Sequence, residues 1–128
     1  MFLTVDANDK RPIYQQIVDG VKALIAGGEL REGTKLPSVR QLAGDLGVNL
    51  NTIAVAYRQL QDEGLLTVRH GAGAVVSSQR TTTVETDELR KPLRTALTQL
   101  VLAGWSKKEI GEAVRSELRL LLEKGGSR

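Results

Sequence analysis

The chain has 128 residues, room for one ordinary domain or a small domain with an appendage, and its aromatic content of 3% favours a helical core of Leu, Ile, Val and Ala. It has no cysteine and a single histidine, which excludes disulfides, thiolate metal sites and multi-histidine metal sites. The net charge of +3 only hints at a polyanionic partner, and without a signal-peptide pattern or a membrane-length apolar run we expect a cytoplasmic protein with no membrane partner.

The first predicted helix follows a short extended N-terminal arm. Pro12 stands at its start, where a missing N–H is tolerated best. Apolar residues then recur at helical spacing to about Ala26, and the pair Gly27-Gly28 ends the helix. The following residues predict a loop, with one short strand expected at residues 29–30.

Two further helices are predicted close together. Ser38 and Gln41 form a capping-box pattern at the start of the second helix, which ends at Gly47. Asn49 is the N-cap candidate of the third helix, which runs to Gly64. Such a tight connection between two short helices is typical of a helix-turn-helix.

A β-hairpin is predicted after the third helix, because β-forming residues stand on both sides of the sequence HGAG at residues 70–73. Three helices followed by a hairpin make a winged helix-turn-helix, which we assign to residues 1–77. The polar, β-branched residues 78–86 predict a linker.

Two leucine-rich helices are predicted in residues 87–126. Pro92 must lie in the first turn of the first of them or bend it, because proline lacks an N–H. Ser106 and Glu109 form a second capping box, with Trp105 and Ile110 at the hydrophobic-staple positions. The predicted fold is mainly α with a small β-hairpin: an N-terminal winged helix-turn-helix plus a C-terminal two-helix dimerisation hairpin.

The third helix is predicted to bind double-stranded DNA. In a winged helix-turn-helix, the helix after the tight turn enters the major groove with its N-terminal end first. Residues 1–78 carry eight basic and eight acidic residues, but residues 33–61 carry three basic residues and one acidic residue, which predicts a local positive face. Asn51 can bond bidentately to adenine, whereas Leu50 and Ala54 offer apolar contacts to a thymine methyl.

The stretch LPSVRQLAGDLGVNLNTIAVAYRQLQDEGLL, followed by RHGAG, resembles the GntR family of bacterial transcription regulators. The arm FLTVDANDKRPIYQQI, the NLNT turn and the short helical tail are similar to its YtrA-type subfamily. The resemblance covers residues 2–77 strongly, and the tail matches in length and helix count. It implies a repressor of a transporter operon, nucleoid-associated when bound to DNA. We expect no enzyme activity and no cofactor, because no nucleophile–base pair, metal cluster or phosphate loop can be assembled from these residues.

The resemblance also implies operator contacts by Arg40, by residues 49–52 and by the wing tip at residues 70–71. Many members carry arginine where this chain has Leu50 and Ala54, so we infer a surface that reads adenine and thymine in place of guanine. The complete predicted DNA-binding set is Lys35, Ser38, Arg40, Asn49, Leu50, Asn51, Thr52, Ala54, Arg58, Arg69, His70 and Gly71.

The leucine-rich tail has two interpretations. It can fold back on the winged domain of its own chain, or it can form a homodimer, which the resemblance favours and which doubles the buried face. A dimer would bind an inverted-repeat operator. The tail is too short to enclose a conventional ligand pocket within one chain, so an effector either binds between subunits or is absent. The predicted dimerisation residues are Leu93, Leu97, Leu100, Ile110, Val114, Leu118 and Leu121.

An alternative function from another class stays open at the level of sequence: an adaptor that keeps the winged fold but binds proteins and has lost DNA binding. The neutral charge of residues 1–78 and the absence of arginine at positions 50 and 54 motivate it. Salt dependence separates the two functions, because DNA binding releases counterions. Single residues also keep alternatives: Asn49 is equally well explained as a helix cap alone, and Tyr57 falls on the buried stripe.

Overall fold

A computed structural model describes residues 3–69, 73–81 and 86–122 of the chain. Its first part is a winged helix-turn-helix with a small β-hairpin, and two more helices follow, so the predicted mainly α fold and its element order are confirmed. In the described residues, no helix is both long enough and apolar enough to cross a membrane. The elements are α1 Ile13–Ala26, β1 Lys35–Leu36, α2 Val39–Leu46, α3 Leu50–Asp62, β2 Leu66–Arg69, β3 Gly73–Val76, α4 Thr86–Leu102 and α5 Lys107–Leu122.

The core of the winged domain lies where α3 contacts α1, α2 and β2. The apolar stripes of α1 and α3 face each other there, and Val18, Val21, Ile53 and Leu60 are completely buried. Burying side chains of this size stabilises the fold by about 1.5–3 kcal/mol each. The helical spacing of these residues therefore determines which faces of α1 and α3 remain exposed for function.

The strands form an antiparallel sheet in the order β1-β3-β2. The predicted hairpin is confirmed as β2 and β3, but the strand expected at residues 29–30 is wrong. The N–H groups of Glu29 and Leu30 donate to the Leu24 carbonyl and close the end of α1, so they are not available to a sheet. The additional strand is β1, in which Lys35 lies opposite Val75 of β3.

The N-terminal arm is attached to α1 by side chains. Gln16 accepts a hydrogen bond from Asp6 N–H at 2.8 Å and donates to the Asp6 carbonyl at 3.1 Å. Leu3 is buried over Gly20, where a Cβ atom would lie only 2.6 Å from Leu3 Cδ2. Arg11 pairs with Asp9 and holds the pKa of that carboxyl below its ordinary value. The arm is therefore part of the winged domain.

The helices α4 and α5 are joined at Gly104, whose φ of +91° suits glycine. They do not pack side by side, and the end of α5 contacts α1. Pro92 lies inside α4, beyond its first turn. No described side chain of either helix is buried. In this chain the tail is therefore an exposed pair of helices.

The second predicted capping box is confirmed at the start of α5. Glu109 Oε1 accepts a hydrogen bond from Ser106 N–H at 2.8 Å, and Ser106 Oγ accepts one from Glu109 N–H at 3.1 Å. The bond from Ser106 N–H favours the charged carboxylate and lowers the pKa of Glu109. Trp105, which is 42% exposed, immediately precedes this cap.

Candidate DNA-binding surface

The start of α2 combines free backbone donors with a positive side chain. Ser38 Oγ accepts a hydrogen bond from Gln41 N–H at 3.1 Å and so caps the helix, although between these two described residues the return bond from the Gln41 side chain is absent. Arg40 is exposed in the first turn and forms no ion pair within the described part of the chain. A helix N-terminus with a nearby cation is suited to bind a phosphate group.

The start of α3 is held by Asn49 and leaves Asn51 free. Asn49 Oδ1 accepts a hydrogen bond from Asn51 N–H at 2.7 Å, so the predicted capping role of Asn49 is confirmed. The side chain of Asn51 is exposed and points away from the buried stripe of α3, on which Tyr57 lies. Asn51 therefore keeps its amide available for a ligand, as adenine recognition requires.

A groove of about 430 Å³ lies between the start of α2, α3 and the wing formed by β2 and β3. It brings together four of the predicted DNA-binding residues, Ser38, Arg40, Leu50 and Arg69. The two arginines place positive charge at its border, while Leu50, 41% exposed, contributes an apolar wall. Charged and apolar groups thus lie side by side on the surface next to α3.

Other predicted residues lie outside this groove. Arg58 is exposed on α3, whereas Thr52 and Ala54 are half-buried. Lys35 lines a different groove with Glu29 and Gln41, on the far edge of the sheet from β2. His70 and Gly71 lie outside the described residues, as does the wing tip that they were predicted to form.

Val55 was missed by the sequence interpretation. It lies on α3 one helical turn after Asn51, and 43% of its surface is exposed. It lines a groove with Asn51 and Thr52 that separates α3 from the start of α1. The signal was present in the sequence, because Val55 falls outside the Ile53–Leu60 stripe on a helix that was predicted to contact DNA.

Tyr57 is buried in the core, as predicted, with 1% of its surface exposed. Its hydroxyl also donates a 2.7 Å hydrogen bond to the carbonyl of Pro37, the residue before Ser38. Burial raises the pKa of Tyr57 well above its ordinary value, because desolvation disfavours the phenolate. The phenol therefore remains protonated and able to donate this bond at neutral pH.

The architecture and this surface define a winged helix-turn-helix protein of the DNA-binding class. Residues 13–76 match the family described as bacterial regulatory proteins, gntR family. The HTH-type transcriptional repressor YtrA of Bacillus subtilis (strain 168) is 34% identical over 100 residues, which cover 78% of this chain and 76% of YtrA. The chain therefore belongs to the GntR family and is a DNA-binding transcription regulator, not an enzyme.

Two solved structures extend the comparison. The transcriptional antiterminator from Listeria monocytogenes EGD-e matches with a TM-score of 0.82 and 29% identity over 99% of this chain and 94% of that chain. The DNA-binding domain of AraR in complex with operator ORE1 matches with a TM-score of 0.50 and 26% identity over 60% of this chain and 94% of that chain. The first match includes both tail helices, while the second concerns a DNA-bound domain.

Proposed function

We propose that this protein is a repressor that binds an inverted-repeat operator as a homodimer and acts in the bacterial cytoplasm, where its DNA target lies. The observation that carries the proposal is the groove beside α3, where Ser38, Arg40, Leu50 and Arg69 line one surface. The name of YtrA as a repressor supports the sign of regulation. A transporter operon as the target rests on the subfamily resemblance alone.

The phosphate contacts are assigned to the start of α2 and to the wing. Arg40 and Arg69 are exposed and without an ion pair among the described residues, so binding a phosphate breaks no internal pair. Ser38 and Thr52 stand at helix starts, where backbone N–H groups attract anions. Lys35 and Arg58 are further proposed contacts to the DNA backbone. His70 and Gly71, which lie outside the described residues, are proposed for the same role from the sequence alone.

The base contacts are assigned to the first two turns of α3. Asn51 supplies a bidentate amide for adenine, and Leu50 and Ala54 supply apolar contacts for a thymine methyl. Asn49 acts mainly as the helix cap, since its oxygen is occupied by Asn51 N–H. The resulting preference is for half-sites rich in adenine and thymine.

The homodimer is assigned to the tail because of its exposed apolar side chains. Leu93 and Val114 are exposed, and so is Leu118, while the predicted Leu97, Leu100 and Ile110 are only partly covered. Many large apolar side chains are exposed on α4 and α5, which supports an interaction site there. Most helices in proteins are stabilised by packing of their apolar face, which supports a partner for α4. Leu121 is shared between two roles, because it also lines a groove facing α1 of its own chain.

Selection from a random duplex pool by the full chain tests the proposal. We expect enrichment of an inverted repeat whose half-sites contain adenine and thymine. A single asymmetric site would contradict the homodimer, and no enrichment at all would favour the adaptor that binds proteins.

The phosphate contacts are tested on the selected duplex by titration at several salt concentrations. Arg40→Ala and Arg69→Ala are each expected to lower the salt slope by about 0.9 per lost phosphate contact in each half-site. Arg31→Ala serves as the control, because Arg31 donates to the Gly28 carbonyl and lies outside the proposed surface. A base preference that changes while the slope stays constant would reassign the arginine to base contacts.

A further inference from the structure

We infer that Tyr57 is a positioning residue for DNA binding, whose hydroxyl fixes the segment Pro37–Arg40 relative to α3 so that Arg40 and α3 reach the same operator together. The inference rests on the proposed contact between Arg40 and a phosphate. Tyr57 itself is buried and does not touch DNA. Its hydroxyl would affect the affinity for the operator only by positioning Arg40.

The hydrogen bond joins the two halves of the helix-turn-helix. Tyr57 belongs to α3, and its acceptor lies 20 residues earlier, at Pro37, directly before the cap Ser38. Ser38 in turn accepts the hydrogen bond from Gln41 N–H that starts α2. Two consecutive hydrogen bonds therefore connect the middle of α3 to the first turn of α2, where Arg40 lies.

The same segment is confined from a second side by the wing. A Cβ atom on Gly73 would lie 3.0 Å from the Leu36 carbonyl oxygen and 3.5 Å from Ser38 N, so the backbone of β3 approaches closely. Gly73 also has a φ of +79°, which suits glycine. Residues 36–38 thus lie between the Tyr57 hydroxyl and the start of β3. Tyr57, Ser38 and Gly73 all line the groove beside α3.

Packing of the core explains the ring of Tyr57 but not its hydroxyl. A phenylalanine would fill nearly the same volume on the Ile53–Leu60 stripe. It would leave the Pro37 carbonyl without its donor, and a carbonyl that loses its partner can turn or recruit water. The expected consequence is a less defined direction for the start of α2, and a weaker contact by Arg40.

A double-mutant cycle on the selected operator tests this role, with Tyr57→Phe, Arg40→Ala and the combined variant. We expect Tyr57→Phe to weaken binding roughly three- to tenfold, the range of one hydrogen bond, and to lower the salt slope towards that of Arg40→Ala. In the Arg40→Ala background the same change should cost less than about twofold, because coupled residues are not additive.

Tyr14→Phe is the matched control, because the Tyr14 hydroxyl makes no hydrogen bond within the described residues and its ring is partly buried. Its effect on affinity should multiply with that of Arg40→Ala. Thermal unfolding of each variant sets a temperature at which all are folded. Hydrogen exchange at Gln41 N–H gives a second measurement, and we expect faster exchange in Tyr57→Phe while the α3 amides are unchanged.

If the fold losses of operator affinity in Tyr57→Phe and Arg40→Ala multiply in the combined variant, the two residues act independently. This result would overturn the positioning role of Tyr57 but not the phosphate contact of Arg40. So would a weaker affinity in Tyr57→Phe with an unchanged salt slope. Unchanged binding and slope in Arg40→Ala alone would instead refute the proposed phosphate contact, and the positioning role with it.

Discussion

The winged domain and the tail differ in what covers their apolar side chains. Val18 of α1 and Ile53 of α3 are completely buried within the chain. In the tail, Leu89 is 61% exposed and Leu102 is 81% exposed, although α4 and α5 also carry leucines at helical spacing. The comparison teaches that periodicity predicts a helix and its apolar face but not the surface that will bury that face.

The tail contacts the winged domain through the end of α5. A groove of about 310 Å³ there is lined by the small residues Gly20 and Ala23 of α1 and by Leu120 and Leu121 of α5. This contact involves one end of one helix and leaves α4 uncovered. The interpretation that the tail folds back on its own chain therefore accounts for part of α5 only.

Removal of residues 81–128 should have the largest effect on function. We expect the remaining chain to fold, because its core is complete, and to be monomeric. Operator affinity should fall by roughly 10²–10⁴-fold, because the two half-sites are then bound by separate monomers and the gain from linking the two binding events is lost. Sedimentation and DNA titration measure both effects. A truncated chain that sediments as a stable dimer would place the interface in the winged domain.

Leu60→Ala and Leu93→Ala compare the two regions directly. Leu60→Ala should destabilise the fold by about 2–5 kcal/mol, because it leaves a cavity in a packed core. Leu93→Ala should weaken self-association and leave the stability of the dilute, monomeric chain nearly unchanged. Denaturant unfolding at two protein concentrations separates the outcomes. If Leu93→Ala lowers the free energy of unfolding as much as Leu60→Ala at low protein concentration, Leu93 packs within its own chain.

Variants of α3 test whether specificity belongs to the winged domain alone. Asn51→Ala should cost about 1–3 kcal/mol on the preferred operator and much less on nonspecific DNA. Leu50→Arg should raise affinity generally and shift preference towards guanine, which arginine binds through N7 and O6. Titration against duplexes that differ at single positions is the measurement. Equal losses of Asn51→Ala on every duplex would show that Asn51 contacts only the backbone.

The smallest expected effect is on stability and concerns the start of α5. This helix end is held by the local hydrogen bonds of the capping box, not by burial in a core. The pKa of Glu109 is lower in the folded chain than its ordinary value of 4.5, so the contribution of its charged carboxylate to stability is fully present above pH 4.5. The contribution is lost as the pH falls through the lowered, folded-state pKa. Glu109→Gln should have a lower melting temperature than the wild type at neutral pH, and the difference in melting temperature should disappear on acidification. A difference that stays constant with pH would exclude the charged cap.

Local chemistry predicted the elements well. Ser38, Asn49 and Ser106 each cap a helix as predicted, because a cap depends on neighbours within a few residues. Pro12 lies at the start of α1 as expected, but one position earlier than the first helical residue, Ile13, and its side chain makes no cap. The strand β1 could not be predicted in this way. It has two residues, and its position depends on pairing with β3, which lies far along the chain.

The surface was predictable as a set of residue types but not as an arrangement. The sequence indicated Arg40 and Arg69, yet only the fold brings them to one groove. The hydrogen bond between Tyr57 and Pro37 is likewise a tertiary contact without a local signal. The sequence interpretation named Leu50 and Ala54 on the exposed face of this helix and made no assignment for Val55, which the structure leaves 43% exposed.

The position of Trp105 has a practical consequence for spectroscopy. It is the single tryptophan of the sequence, and it lies half-exposed beside the cap of α5. Fluorescence excited selectively at tryptophan therefore reports on the tail, whereas circular dichroism reports on all the helices. Comparing the two signals during unfolding would show whether the tail melts separately from the winged domain, without any label attached to the protein.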